Sequence, residues 1–548
     1  MTDVAHSPST SSGFVRHGAT SWRDYFTFNT DHKVIGIQYL VTTFGFFLLG
    51  GLLAMLIRYE LLTPQADFDG ATYNSLFTIH GSIMVFLWVI PAMAGFGNYL
   101  IPLMIGADDM AFPRLNATSF WLIPLGGLTV IVGYFVGQSN AGWTSYPPLS
   151  LQGPPGQSLW CIGVIILGTS SLLGAINFLV TLALMRAPGM TPGRLPLFCW
   201  AIVATSLISL LATPVLTAAL LMLLLERTFG LTFFQPKTGG DPLMWQHLFW
   251  FYSHPAVYIM ILPGMGLVSE VLPVFSRKPI FGYKAIAASS MAIAIFGFLV
   301  WGHHMFATGL DPWQEMSFMV SSMAISVPTG IKIFNWLGTL WGGKLEFKTP
   351  MLFAMGFIAM FLIGGLSGVT LAAVPVDLHV TDTYYVVAHL HYVLFGGSVF
   401  ALYAALYFWF PKITGRMYME RLGKIHFWLN FIGFNLTFLP MHWLGLQGMP
   451  RRVVEYAPQF QTVNVIASLG GFLLGISVLP FLLNVLLSWA WGPKAGNNPW
   501  RALTLEWQTT SPPPVHNFAT PPVVEQGPYD YGLAPAPRVT QPAETSAD

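Results

Sequence analysis

Three histidines lie in long apolar stretches, where an ionisable side chain is costly and usually marks function. His303 and His304 are adjacent, and His254 precedes Pro255 in an earlier apolar stretch. Neutral imidazole is the commonest metal ligand, and a site with three nitrogen ligands suits copper. These histidines therefore predict a copper site. The less specific alternative for His254 is a polar residue packed against a neighbouring helix.

A second pair, His389 and His391, is separated by one residue. Positions i and i+2 of a helix lie about 200° apart, so the two rings point to opposite sides and cannot chelate one ion. They can instead bind two different haems that flank the helix. His80 then offers a second axial ligand for one haem, although alone it is equally explained as a satisfied core histidine.

Three further residues have types that suit proton transfer. Tyr258 lies four residues after His254, so the two rings can meet on one helix face. Lys332 is predicted to be the one lysine buried within a span, the alternative being a lysine that snorkels to the interface. Asp109 lies between two apolar stretches, where a solvated surface charge is the simpler interpretation.

The composition indicates a membrane protein. Of 548 residues, 54% are hydrophobic and 9% are charged, whereas soluble domains are about 25% charged. The formal net charge of +1 gives no reason to expect a nucleic-acid partner. The two cysteines, Cys161 and Cys199, lie in apolar segments without metal-ligand spacing, so we expect them to be buried and inert.

Apolar runs long enough to cross a bilayer predict an all-α integral membrane protein, a bundle of twelve transmembrane helices. The runs are 34–58, 77–104, 119–137, 158–185, 199–225, 243–273, 283–304, 312–340, 350–373, 384–410, 424–446 and 462–492. The predicted organisation is a polar tail (1–30), the helical domain (31–492) and a Pro-rich tail (493–548) without its own core.

The distribution of Lys and Arg predicts the orientation. With both termini in the cytoplasm, most of these residues face the cytoplasm, as the rule requires. Those on the far side are Arg58, Arg227, Lys237, Arg451 and Arg452. The N-terminal residues lack the apolar core of a cleaved signal peptide.

Several stretches resemble subunit I of the haem-copper terminal oxidases, specifically the aa3-type cytochrome c oxidases. The stretches are 97–99, 105–114, 142–144, the His254 and His303–His304 segments, 382–392 and 450–452. The resemblance covers roughly residues 25–490. It implies an integral membrane protein, from a bacterial cytoplasmic membrane, that reduces O2 to water and pumps protons.

The resemblance also implies roles for individual residues. His80 and His391 are expected to ligate a low-spin haem (haem a), His389 a high-spin haem (haem a3), and His254, His303 and His304 the copper called copper B. Tyr258 is expected to be crosslinked to His254 and to supply an electron and a proton. Arg451 and Arg452 match residues that neutralise haem propionates. Arg58 matches an arginine bound to the haem a formyl group, and Trp143 a tryptophan near the propionates.

Two proton routes follow from the same resemblance. The first is centred on Lys332, with Thr329, Ser269 and Tyr258 along it and Glu270 at its entrance. The second begins at Asp109, with Asn98 and Asn116.

The sequence departs from the family pattern at two places. Ala256 replaces the glutamate that usually ends the second route, and Tyr252-Ser253 precede the copper histidine, which resembles a subtype where this pair relays protons. Asp382 remains from a magnesium site, but Thr381 replaces the histidine beside it. His379 lies two residues away from Thr381, which is too far to assume that it takes the place of the missing histidine. The magnesium site is therefore incomplete in the sequence.

The electron donor is expected to be cytochrome c, because Thr72, Ser75, Leu49 and Leu53 replace the polar residues of quinol oxidases. Since no cysteine pair is present for the binuclear copper A centre, a partner subunit II is expected to carry it. Subunit III and membrane lipids are further expected partners.

Two alternative functions are considered. The first is nitric oxide reduction, and Tyr258 with Lys332 argue against it. The second is a proton transporter or channel without a redox cofactor, and the histidine pairs argue against it.

Overall fold

The computed structural model describes residues 16–532, and this part of the chain is helical without named strands. The outer ends of the two predicted tails, 1–15 and 533–548, lie outside the described residues. Twelve long helical segments follow one another. They are α1 (His32–Glu60), α2 (Gly70–Ile105), α3 (Pro113–Gly137), α4 (Pro155–Leu184), α5 (Leu197–Phe229), α6 (Pro242–Ser276), α7 (Tyr283–Thr308), α8 (Pro312–Leu340), α9 (Thr349–Ala372), α10 (Tyr384–Thr414), α11 (Glu420–Leu446) and α12 (Pro458–Trp491).

Eleven of these helices, all but α11, are long and apolar enough to cross a membrane. Helix α11 has 27 residues, which is a sufficient length. It is less apolar because it carries His426, Asn430, Asn435 and His442. The helical fold is therefore confirmed. Of the twelve predicted transmembrane helices, eleven in the described part of the chain have the length and hydropathy expected of a span, and α11 has the length alone.

The helices that carry the predicted haem ligands are interrupted by wider turns. A π-helical turn, Ile83–Val89, lies within α2 and begins three residues after His80. A second, Leu394–Val399, lies within α10 and begins three residues after His391. Helix α7 ends in tighter 3-10 turns that include Trp301–Thr308, the segment of His303 and His304. Such interruptions are frequent at functional sites.

Glycines allow the closest helix approaches. A Cβ atom on Gly470 of α12 would lie 2.5 Å from the backbone nitrogen of Thr437 in α11, and one on Gly433 would lie 2.7 Å from that of Leu474. Small residues at such positions let membrane helices pack through their backbones.

One end of the bundle, which we call the tail face, is covered by residues 16–31 and 493–532. The second segment contains one short helical turn, Leu505–Trp507, and has no core of its own. Its Trp500 and Trp507 are instead buried against the bundle, and the Trp500 indole donates to the Phe408 carbonyl at 2.8 Å.

The prediction that Lys332 is the one lysine buried in a span requires correction. Lys412, in the last turn of α10, is also fully buried. Its ammonium donates to the carbonyls of Asn497, Thr509 and Thr510 at 2.8–3.2 Å. The sequence gives no sign of this burial, because the covering carbonyls come from a distant irregular segment.

Candidate metal and proton-transfer site

The structure brings His254 of α6 together with His303 and His304 of α7. Their ligand nitrogens lie within 4.8 Å of one another, and within residues 16–532 no other group of three or more His, Cys, Asp or Glu is placed to hold a metal ion. Nε2 of His304 lies 3.1 Å from both Nδ1 of His254 and Nε2 of His303. Three imidazoles converging on one point form a donor set that fits copper.

Neighbouring side chains fix the orientation of this triad. The Ser322 hydroxyl lies 2.8 Å from Nδ1 of His303, and the Trp250 indole stacks on the His304 ring at 3.7 Å. The Tyr258 ring lies 4.6 Å from that of His254. Nδ1 of His254 is directed toward His304. The buried Nε2 has no hydrogen-bond partner among residues 16–532, so it is free for a different bond.

His80 and His391 form a second metal-binding arrangement. The rings are nearly parallel, with an angle of 16° and 6.4 Å between their centres. Nδ1 of His80 lies 2.8 Å from the Gly50 carbonyl, and Nδ1 of His391 lies 2.7 Å from that of Val387, so Nε2 is free in both. The separation fits one metal between the rings, because a metal–imidazole bond is about 2 Å long.

His389 lies on the other side of α10, against α9. Its Nδ1 lies 3.0 Å from both the Gly364 carbonyl and the Ser367 hydroxyl. A Cβ atom on Gly368 would lie 3.0 Å from the imidazole, so the glycine makes room for this ring. The neighbours of His389 and His391 therefore differ, as two separate haem sites require.

Four predicted residues lie near the ends of these helices that are opposite the tail face. The buried Arg58 guanidinium donates to Ser468 and Asn464 of α12 at 2.8–3.2 Å. Trp143 packs on Gly81, next to His80, and its ring lies 6.0 Å from that of Trp250. Burial, followed by the charge of Arg451, lowers the pKa of Arg452 to about 10.

Asp382 is engaged by an arginine. Its Oδ1 accepts hydrogen bonds from Nε and Nη2 of Arg451 at 3.0 and 2.7 Å, and the side chain is 77% exposed. Among the described residues Asp382 belongs to no group of three or more His, Cys, Asp or Glu that could hold a metal ion, so the geometry adds no support for magnesium.

Lys332 lies in α8 and is buried against α7. Its ammonium donates to the Ser290 hydroxyl at 2.6 Å and to the Ile286 carbonyl at 3.2 Å. Tyr258 belongs to α6 and contacts α7 farther along, where a Cβ atom on Gly297 would be 3.0 Å from its ring. Two helical turns, about 10 Å, therefore separate the contacts of Lys332 and Tyr258 along α7.

Thr329 and Ser269 have different surroundings. The Thr329 hydroxyl donates to the Ile325 carbonyl within its own helix at 3.2 Å. The Ser269 hydroxyl is buried and accepts a hydrogen bond at 2.9 Å from the Trp336 indole, one turn after Lys332. Ser269 is thus joined to the lysine helix.

Asp109, Asn98 and Asn116 share one property. Each carries buried side-chain atoms without a hydrogen-bond partner among the described residues. Such atoms are rare and usually bind water. Burial raises the pKa of the Asp109 carboxyl to about 7, so this group can gain and lose a proton near neutral pH.

A cavity extends inward from Asn98. Its lining includes the polar residues Tyr39, Ser170, Ser206 and Ser209, and it reaches Ile259 of α6. Ile259 lies two helical turns after Tyr252, with Ala256 between them on the same stripe. Tyr252 and Ser253 are themselves buried, and the Ser253 hydroxyl has no hydrogen-bond partner in the described part of the chain.

Several polar residues beside the two predicted routes were not identified from the sequence. They are Ser290 at Lys332, and Tyr39, Ser170, Ser206 and Ser209 at the cavity. A single Ser or Tyr in an apolar helix is common, so only the packing of helices reveals that these residues share one space.

Comparison with known proteins identifies the sequence family. The model of the family "Cytochrome C and Quinol oxidase polypeptide I" matches residues 34–473. Cytochrome c oxidase subunit 1 of Thermostichus vulcanus is 59% identical over 94% of both chains, and that of Synechocystis sp. is 59% identical with the same coverage. A putative cytochrome c oxidase subunit 1-beta of Streptomyces coelicolor is 54% identical over 90% of this chain and 87% of its own.

A solved structure has the same fold. A cryo-EM structure of a haem-copper terminal oxidase dimer superposes with a TM-score of 0.73 at 20% identity, covering 84% of each chain.

Proposed function

The chain belongs to the cytochrome c and quinol oxidase polypeptide I family, and we propose that it is the catalytic subunit of a proton-pumping respiratory oxidase that reduces O2 to water. The observation that carries this proposal is the histidine triad of α6 and α7, together with His389 and His391 on different sides of α10. We assign the aa3 type, with electrons from cytochrome c.

The six histidines divide among three groups. His80 and His391 hold the low-spin haem, His389 the high-spin haem, and His254, His303 and His304 copper B. When bound, the two haems and copper supply the electron transfer and the oxygen-binding centre. The chain's own contribution is to fix each ring through its second nitrogen or by stacking, which keeps the free nitrogen in place.

Charged residues at the outer helix ends stabilise the haems. Arg452 is partly buried, with its guanidinium against Gly142, and is suited to a propionate, while Arg451 is paired with Asp382. Nε and Nη2 of Arg58 are occupied by α12, which leaves Nη1 to donate to a formyl group. Arg58 has only neutral hydrogen-bond partners among the described residues, so a polar haem substituent suits its buried charge.

Tyr258 holds a proton beside the triad. Its ring is next to His254, whose Nε2 is the nitrogen available for the expected crosslink. Lys332 and Glu270 deliver protons toward this hydroxyl, and Asp109, Asn98 and Asn116 begin the second route.

The second route ends differently from the usual pattern, at Tyr252 and Ser253. The cavity that Asn98 helps to line reaches Ile259, and Tyr252 lies two turns, about 10 Å, from Ile259 on the same stripe of α6. Since Ala256 carries no ionisable group, we assign the final relay to the Tyr252 and Ser253 hydroxyls. Replacing Tyr252→Phe and Ser253→Ala together is expected to slow turnover and pumping in reconstituted vesicles. Unchanged pumping would exclude this relay.

Cytochrome c is favoured as the donor because the region of a quinol site offers few free polar groups. The Ser75 hydroxyl donates to Gln138 and Thr72 to Asp69, while Leu49 and Leu53 are apolar.

Both cysteines are buried and unpaired. The copper A centre therefore belongs to a partner subunit II, which we place at the Arg451–Arg452 end, with subunit III and lipids around the bundle. We place the protein in a bacterial cytoplasmic membrane, with the tail face in the cytoplasm.

An optical spectrum tests this function. The dithionite-reduced minus oxidised spectrum is expected to show a haem a band, and elemental analysis is expected to find copper. Oxygen consumption is expected with cytochrome c and not with a quinol. A spectrum without any haem band would exclude the oxidase and favour a proton transporter.

A further inference from the structure

The last described part of the C-terminal segment lies across the tail face. Val524 donates its backbone N–H to the Pro188 carbonyl at 2.9 Å, and its own carbonyl accepts from Arg194 at 2.8 Å. Farther along, Tyr529 is buried between the start of α5 and the end of α6. This segment therefore covers the end of the helix that carries Glu270.

The Tyr529 hydroxyl makes two short hydrogen bonds. It accepts from the backbone N–H of Leu197 at 2.7 Å and donates to Oε1 of Glu270 at 2.6 Å. Oε1 also accepts from the N–H of Phe198 at 3.0 Å. Within the described part of the chain both hydrogen bonds to this carboxyl end on Oε1, so Oε2 is the oxygen available to exchange a proton.

Glu270 is joined to the lysine helix through its neighbour. Ser269 precedes it in α6 and accepts a hydrogen bond from Trp336, one turn after Lys332 in α8. Glu270 is buried, and a buried carboxyl held in one orientation transfers protons more efficiently than one that must first rotate.

We propose that Tyr529 is a positioning residue for Glu270, and that residues 524–531 are a fixed cover at the entrance of the Lys332 route. This inference rests on the proposed function, in which Glu270 is that entrance. Tyr529 keeps Oε1 occupied and turns Oε2 to the proton path. A residue near the C-terminus, outside the helical domain, thereby contributes to proton uptake.

Single hydroxyl deletions in the purified oxidase complex test the proposal. Tyr529→Phe is expected to slow proton uptake on reduction of the enzyme, followed with a pH-indicator dye, about fivefold, the effect of one ordinary hydrogen bond. The matched control is Tyr531→Phe, in the same segment and also buried, whose hydroxyl accepts from Leu503 and does not touch Glu270. It is expected to leave the rate unchanged, and neither variant should alter KM for cytochrome c.

A double variant separates positioning from folding. If Tyr529 acts only through Glu270, then Tyr529→Phe combined with Glu270→Gln is expected to be no slower than Glu270→Gln alone. Hydrogen exchange of residues 515–531 is measured in each variant. Equal slowing by Tyr529→Phe and Tyr531→Phe, or slowing accompanied by faster exchange, would overturn the proposal.

The proposed route can fail separately. If Glu270→Gln retains the normal rate, the entrance assignment is wrong, and the role of Tyr529 is rejected with it. If Glu270→Gln slows uptake and Tyr529→Phe does not, the route stands and only the positioning role is overturned.

Discussion

His254 shows how one side chain can be committed to two partners. Its Nδ1 faces the other two histidines of the triad, while its buried Nε2 is free beside Tyr258. An imidazole used in this way cannot rotate without losing the metal. The ring that we propose as a copper ligand therefore also sets the position of Tyr258, and in the proposed oxidase this arrangement would hold the hydroxyl proton beside the copper site.

Replacing His304→Ala is expected to remove copper from the purified protein and to abolish oxygen reduction, because two remaining nitrogens hold the ion weakly. Metal analysis by mass spectrometry is the measurement, with the haem content followed by absorbance. His379→Ala, at an exposed position outside the triad, serves as the control and should retain copper. Full copper content in His304→Ala would contradict the assignment.

Asp109 is expected to give turnover a pH dependence. Because burial raises its pKa to about 7, the carboxyl is protonated below pH 7 and charged above it. The protonated form of this carboxyl, which must pass protons inward, then becomes scarcer as pH rises. Turnover should therefore decline above about pH 7. Asp109→Asn is expected to be slow at every pH and to lack this inflection.

The neighbouring Asp108→Asn provides the control, since it removes an exposed carboxylate from the same loop. It should keep both the rate and the inflection. The measurement is oxygen consumption by both variants at a series of pH values on either side of pH 7. An inflection that persists in Asp109→Asn would assign the titration to another group.

At the scale of elements, the two π-helical turns have a common position. Each begins three residues after a histidine of the His80–His391 pair. Since a π turn inserts extra backbone, it rotates the following residues relative to the preceding ones. The parts of α2 and α10 before these turns can therefore place His80 and His391 facing each other. The parts after the turns are then free to pack in other directions.

The contact between α11 and α12 is expected to control the position of Arg58, because α12 supplies Asn464 and Ser468 to it. In Gly470→Ala the new Cβ would lie 2.5 Å from backbone of α11, so the helices must separate. We expect a lower melting temperature and an altered low-spin haem spectrum. Gly365→Ala, where nothing lies within 4 Å of the new Cβ, should match the parent protein or be slightly more stable.

At the scale of the whole molecule, the sequence predicted what local patterns determine. Helices follow from apolar length, and the location of His389 and His391 on different sides of α10 follows from their separation of two residues. The serines of the cavity, the burial of Lys412 and the bond from Tyr529 to Glu270 were not predicted. Each depends on residues distant in sequence, so no local pattern encodes it. The excess of Lys and Arg on one end of the bundle is a global property that the sequence does reveal.

The tail face is expected to lie in the cytoplasm. Cys161 and Cys199 are buried, so a cysteine introduced at an exposed position is the accessible thiol. Glu525 is exposed on the tail face, and Glu455 is exposed near Arg451 and Arg452 at the opposite end. Each is replaced by cysteine in a separate variant. A membrane-impermeant maleimide added to intact cells, after outer barriers are removed, should label Glu455→Cys alone, whereas inverted vesicles should expose Glu525→Cys. Labelling in the reverse pattern would invert the orientation and place the entrances at Asp109 and Glu270 on the side from which respiratory protons are not drawn.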